Sequence, residues 1–234
     1  MTISDSEMGE NLAWPVEATA RMNRMYRRQR HIYDGTRRYY LLGRDQLIAG
    51  LKPAAGATVL EIGCGTGRNL TVAARQYPGA KFFGIDVSTE MLTSAIASIT
   101  RHGLERQIRV AHGDATAFDP QTIFGVPSFD HVMISYSLSM IPHWQSVLER
   151  AASSLKHGGC LHIVDFGQQE GLPRMARAVL RRWLAIFDVT PRDNLEGALR
   201  RLADTRAARL RFDRPFRGYA QYAVLTFPAR PKTA

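Results

Sequence analysis

Three glycines and a glutamate mark where this chain could do chemistry. Glu61, Gly63, Gly65 and Gly67 stand in the stretch VLEIGCGTG, directly after a short apolar segment. Glycine at these alternate positions removes side chains where the backbone must turn tightly and approach a ligand closely. The spacing is not the G-x-G-x-x-G of dinucleotide folds, whose third glycine would fall at Arg68, and no G-K-[ST] tripeptide is present for a nucleoside triphosphate. About twenty residues further on, the segment KFFGID ends in Asp86, and a carboxylate so placed can accept hydrogen bonds from both hydroxyls of a ribose. The pattern therefore points to a ligand that carries a ribose, held where a strand passes into a helix.

The elements around this loop alternate in type. Residues 58–63, 81–86, 107–112, 129–135 and 160–165 read as strands, and 66–76, 88–102 and 143–155 as helices, with Ser88 a natural N-cap. Strand–helix alternation implies βαβ units, right-handed crossovers and a doubly wound, mostly parallel sheet. Residues 209–213 and 218–227 read as a C-terminal antiparallel hairpin on that sheet, joined by an Arg-Pro turn. Residues 13–51 read as helical, with Met22, Met25, Tyr26, Ile32 and Tyr33 on one stripe and Arg24, Arg27, Arg28 and His31 mostly off it. Pro53 and Gly56 punctuate the entry to the first strand, which divides the 234 residues into a helical extension or lid (1–52) and an α/β domain (53–234).

The E-x-G-x-G-x-G spacing resembles motif I of the class I S-adenosylmethionine-dependent methyltransferases, which have a Rossmann-like fold. Further elements match in order. Asp114 and Ala115, after the third strand, stand where the family binds the adenine, and Ser135 to Ser137, after the fourth, where it faces the methionine portion and the transferred methyl. The resemblance implies S-adenosylmethionine as cofactor, with S-adenosylhomocysteine as product. It implies a cofactor shell of Tyr33, Glu61, Gly63, Cys64, Gly65, Gly67, Asn69, Asp86, Val87, Met91, Asp114, Ala115 and Ser135.

The block YRRQRHIYDGTRRYYLLGRD, within residues 21–48, resembles the bacterial betaine-lipid N-methyltransferases, which trimethylate diacylglycerylhomoserine. The Tyr33-Asp34 pair also occurs in quinone and phospholipid methyltransferases, where the tyrosine covers the cofactor pocket. This resemblance implies a lipid amine as nucleophile. Tyr33, Tyr40 and Tyr136, with Tyr39, are then candidates to orient it, and Arg44 is a fork-shaped donor for the substrate carboxylate. His131 reads as structural, and His143, at a helix start, is a weaker candidate base. The implied partners are a lipid at an anionic membrane surface and the enzyme that makes diacylglycerylhomoserine, with the protein peripheral on the inner face of the cytoplasmic membrane.

The net charge of +10 and pI near 10.1 fit an anionic partner. Arginines crowd residues 21–44, and a second basic stretch runs from Arg174 to Arg217. Phosphatidylethanolamine is the rival substrate, its phosphate meeting the arginines in place of a carboxylate; a quinone carbon and RNA follow. No NPPY or DPPY segment follows the fourth strand and no Pro-Cys nucleophile is present, so nucleic acid is not the expected substrate. No apolar run approaches the roughly 18 residues of a membrane-spanning helix, and the acidic, polar N-terminus does not read as a secretory signal. Cys64 and Cys160 form no C-x-x-C pair and are expected to be free thiols, and the spacing of the histidines and carboxylates suggests no metal.

Overall fold

The computed structural model describes residues 41–187 and 189–230. Tyr33, Asp34, Tyr39, Tyr40 and the expected N-terminal stripe lie outside the described residues.

The first described helix, α1 (Arg44–Leu51), buries Leu47, Ile48 and Leu51. Next come β1 (Thr58–Ile62), α2 (Arg68–Gln76), β2 (Lys81–Asp86) and α3 (Thr89–Arg101). As the sequence predicts, Ser88 caps α3, its hydroxyl accepting from the Met91 amide at 3.3 Å. After β3 (Ile108–His112), α4 (Pro120–Phe124) is a short helix the sequence reading lacked. Asp119 caps it, Pro120 occupies its first turn and Gly125 ends it in the left-handed region. Then come β4 (Phe129–Ser135), a 3-10 turn (Leu138–Met140), α5 (Trp144–Ser153) and β5 (Leu155–Phe166).

Two further helices occupy the part of the basic stretch before residue 209, for which the sequence suggested no element: α6 (Arg174–Ile186) and α7 (Leu195–Thr205). The chain closes with β6 (Arg209–Asp213) and β7 (Ala220–Thr226). β5 begins five residues earlier than expected. Its polar start, Lys156-His157-Gly158-Gly159, is held by the Lys156 ammonium on Asp130 at 2.8 Å and by the Gly158 amide on the Pro228 carbonyl at 2.9 Å.

The sheet order is β3-β2-β1-β4-β5-β7-β6, parallel except that β7 runs antiparallel between β5 and β6. This is the expected α/β, Rossmann-like, mostly parallel sheet with a C-terminal antiparallel hairpin. Side chains alternate across it into two cores. Leu60, Ile62, Val132, Ile134, Leu161 and Ile163 pack with α5 and α7 on one face. Val59, Phe82, Met133, Val164 and Phe166 pack with α1, α2 and α3 on the other. Among the described residues, no helix is long and apolar enough to cross a membrane.

Candidate active site

A cleft of about 760 Å³ opens at the carboxyl ends of β1, β2, β3 and β4, where open α/β sheets bind ligands. Its floor is the glycine loop. Gly63 has φ 73°, and a Cβ there would stand 2.6 Å from the Ser137 Cβ, so both backbone conformation and close approach demand glycine. The amides of Gly63 and Cys64 both donate to the Ile85 carbonyl at 2.9 Å, pinning the loop to β2.

Asp86 ends β2 and organises the wall. Its Oδ2 accepts from the Gly65 amide at 2.8 Å and its Oδ1 from the Ser88 amide at 2.9 Å. Two backbone donors, one from each side, fix the carboxylate plane toward the cleft. Asp114 is fixed in the same way, its Oδ1 accepting from the amide and hydroxyl of Thr116, each at 2.8 Å.

Glu61 and Ser135 line the cleft from β1 and β4. Glu61 is buried, and desolvation pushes its carboxyl up to about 8. Asn69 donates to its Oε1 at 2.7 Å, while Oε2 has no hydrogen-bond partner; the Ser135 hydroxyl likewise has none. Buried polar atoms seldom remain unsatisfied, and these two are on side chains that border the cleft. A ligand with an ammonium, a carboxylate and a ribose would meet them.

Cys64, Val87 and Ala115 also line the cleft; Gly67 instead starts α2 with φ 72°. Met91, expected in the cofactor shell, is not among the residues that line the cleft. It is 3% exposed in the first turn of α3, its side chain turned into the core.

Arg44 and Tyr136, expected at the substrate, are both in the cleft wall. Arg44 is buried, with its Nε donating to the Leu41 carbonyl at 3.3 Å, close enough to Glu61 to draw its pKa downward. The Tyr136 hydroxyl donates to the Leu42 carbonyl at 2.5 Å, and its ring stands edge-on to Phe166 at 4.6 Å. Burial pushes that phenol well above its ordinary range, so it stays protonated.

Sequence reasoning missed Met140 and Ile141, which close one side of the cleft, and the group that holds them. Arg192 donates from Nε to the Leu138 carbonyl at 2.9 Å, and from one terminal nitrogen to the carbonyls of Ser139 at 3.3 Å and Ile141 at 2.8 Å. Asp165, raised to about 6 by burial, accepts from the Ser139 amide at 3.2 Å on the same turn. A lone arginine some fifty residues downstream carries no local signal.

His102 lines the cleft, whereas the two histidines weighed from the sequence lie elsewhere. His143 is the exposed N-cap of α5, outside the lining. His131 is mid-strand in β4, with its Nδ1 3.3 Å from the His162 Nε2 on β5. Burial, with His131 beside it, holds the His162 imidazole down to about 3. Cys64 and Cys160 are free thiols.

Residues 59–159 match the family profile described as "Methyltransferase domain". The chain is 32% identical over 117 residues to a trans-aconitate 2-methyltransferase of Methylobacterium nodulans, covering 50% of this chain and 41% of that one. It is 31% identical over 138 residues to a phosphatidylethanolamine N-methyltransferase of Cereibacter sphaeroides, covering 58% and 63%. The chain thus spans less than two thirds of either relative. The fold is shared with an S-adenosylmethionine-dependent methyltransferase from Aquifex aeolicus at a TM-score of 0.61 and 18% identity, over 86% of this chain and 97% of that one. The fold is that of the class I methyltransferases, and it is also shared with a geranyl diphosphate methyltransferase solved in complex with S-adenosylmethionine, at a TM-score of 0.59 and 16% identity, over 80% of this chain and 84% of that one.

Proposed function

We propose that this methyltransferase-fold chain N-methylates the amine of a membrane lipid headgroup, with diacylglycerylhomoserine as the substrate and three methyls added in turn. The observation that carries the lipid reading is α6. Met175, Val179 and Ile186 share one face of this helix and are 83%, 70% and 67% exposed. Arg174, Arg177, Arg181 and Arg182 accompany them, and the helix has no acidic residue. Large apolar side chains among arginines suit the boundary between headgroups and acyl chains of an anionic bilayer. The helix follows β5, and the chain returns at Thr190, whose amide donates to Ser139, so the docking face and the cleft flank the same edge of the sheet.

The bound cofactor supplies an activated methyl group on its sulfonium centre. The chain's part is positioning and exclusion of water, which together can lower a barrier by roughly 7–11 kcal/mol. Glu61, Asp86, Asp114 and Ser135 hold the cofactor's polar groups. Tyr136, locked between Leu42 and Phe166, and the Met140-Ile141 turn give the methyl-bearing end a dry wall. Arg44 is placed to meet a substrate carboxylate. The amine must be neutral to attack, and a desolvated amine needs little further base.

Phosphatidylethanolamine is the second reading, favoured by the similarity to a phosphatidylethanolamine N-methyltransferase. The deciding experiment incubates the chain and radiolabelled S-adenosylmethionine with vesicles carrying diacylglycerylhomoserine, phosphatidylethanolamine or neither. Label on the first lipid as mono-, di- and trimethylated products supports the primary reading. Label on phosphatidylethanolamine alone moves the assignment there, and no lipid label despite cofactor binding overturns both.

A further inference from the structure

His131, Cys160 and His162 come together below the cleft and serve no role in it. In the parallel β4–β5 pair His131 lies opposite Cys160, and Met133 opposite His162. Side chains two apart share a face, so all three project to the side covered by α1 and α2. The ligand atoms of the three residues lie within 4.8 Å of one another. His162 is 3% exposed, whereas His131 and Cys160 are half-buried and leave a path from solvent.

The pairing is unusual for a structural histidine. A buried imidazole ordinarily finds a carboxylate, a carbonyl or a hydroxyl. His162 finds only another imidazole, and its Nδ1 is buried without a partner. The 3.3 Å between His131 Nδ1 and His162 Nε2 is the separation of two nitrogens that each lie about 2.0–2.1 Å from one tetrahedral zinc ion. Cys160, beside them, is the ligand type that selects borderline-soft metals, and its thiol donates a long bond to the Thr226 hydroxyl at 3.9 Å.

We propose that His131 Nδ1, His162 Nε2 and Cys160 Sγ form a zinc-class metal site that ties β4 to β5. Two imidazoles and one thiolate fill three tetrahedral positions, and water from the open side takes the fourth. Binding displaces the thiol proton to solvent, so each ion bound releases one proton as the metal–sulfur bond forms. The register puts the site several residues from the Ser135 edge of the cleft, which makes it a staple of the sheet rather than part of methyl transfer. The inference is independent of which substrate the cleft takes.

The test uses the untagged full chain, stripped with chelator and titrated with Co²⁺ as a spectroscopic stand-in. The site predicts one saturable equivalent with a thiolate-to-cobalt charge-transfer absorption that Zn²⁺ bleaches. That band disappears in Cys160→Ser and persists in Cys64→Ser. In the wild-type chain, Zn²⁺ should slow alkylation of Cys160 roughly tenfold or more, because a ligated thiolate is shielded; this arm needs no variant to fold. His131→Ala should lose that protection. A charge-transfer band that survives Cys160→Ser, or alkylation of Cys160 unaffected by saturating Zn²⁺, overturns the proposal.

Discussion

Asn69 holds Glu61 by one oxygen only: its amide donates to Oε1 at 2.7 Å, and Oε2 is left buried without a partner. With the Glu61 carboxyl raised to about 8 from 4.5, the sign of its effect on folding follows. Below the unfolded value both states are protonated and Glu61 contributes nothing. Between 4.5 and about 8 the unfolded chain ionises while the native one stays protonated, so stability falls by about 1.4 kcal/mol per pH unit from this group. Above that window the loss levels off. Glu61→Gln should flatten the decline of the melting temperature from pH 5 to pH 8 in the cofactor-free protein; a variant with the wild-type slope would refute the assignment.

Asp86 accepts two backbone amides, one from Gly65 in the glycine loop and one from Ser88 at the cap of α3. Asp86→Ala removes the anchor of the Gly65 peptide together with the expected ribose acceptor. Bonds to charged groups contribute roughly 1.5–3 kcal/mol each, so calorimetry should show the affinity for S-adenosylmethionine weakened by about a hundredfold or more. Unchanged affinity would mean that the cofactor binds elsewhere.

The Tyr136 hydroxyl is committed to the Leu42 carbonyl. Tyr136→Phe should lower stability by about 1–3 kcal/mol, because a carbonyl against the core loses its donor. The same variant separates two roles. A positioning tyrosine lowers stability and raises KM with kcat nearly kept, whereas a tyrosine that orients the nucleophile loses kcat in a protein of normal fold.

Arg192 gathers three carbonyls of the turn that closes the cleft. Arg192→Ala should free that turn and weaken cofactor binding about tenfold or more, with a change in protease sensitivity near Leu138. Lysine offers a point charge in place of a planar fork, so Arg192→Lys should rescue only in part. Full rescue by lysine would show that charge alone matters there.

On α6, Met175→Glu with Val179→Glu places two negative charges on the exposed apolar face. Co-sedimentation with anionic vesicles should fall about tenfold or more, since charges near such a surface are worth about 1 kcal/mol each and apolar insertion is lost as well. Cofactor affinity, measured without lipid, should not move. Vesicle binding equal to wild type would remove α6 as the docking face.

The sheet, the glycine loop, Asp86 and Asp114 are legible in the chain because their signals are local. A strand needs only its neighbours' alternation, and a loop that meets a ligand through its backbone must be glycine whatever surrounds it. Ser88 is legible as a cap for the same reason, since it answers to an amide three residues away. Other features depend on register and on contacts across long separations. Arg192 reaches back some fifty residues to the turn. Met91 faces inward because its helix packs as it does, and α6 is an arginine-rich segment whose apolar face only packing shows to be uncovered. His131, Cys160 and His162 have no ligand spacing along the chain. They become neighbours because β4 and β5 lie side by side in one particular register, and a shift of a single residue would turn one strand's side chains to the opposite face.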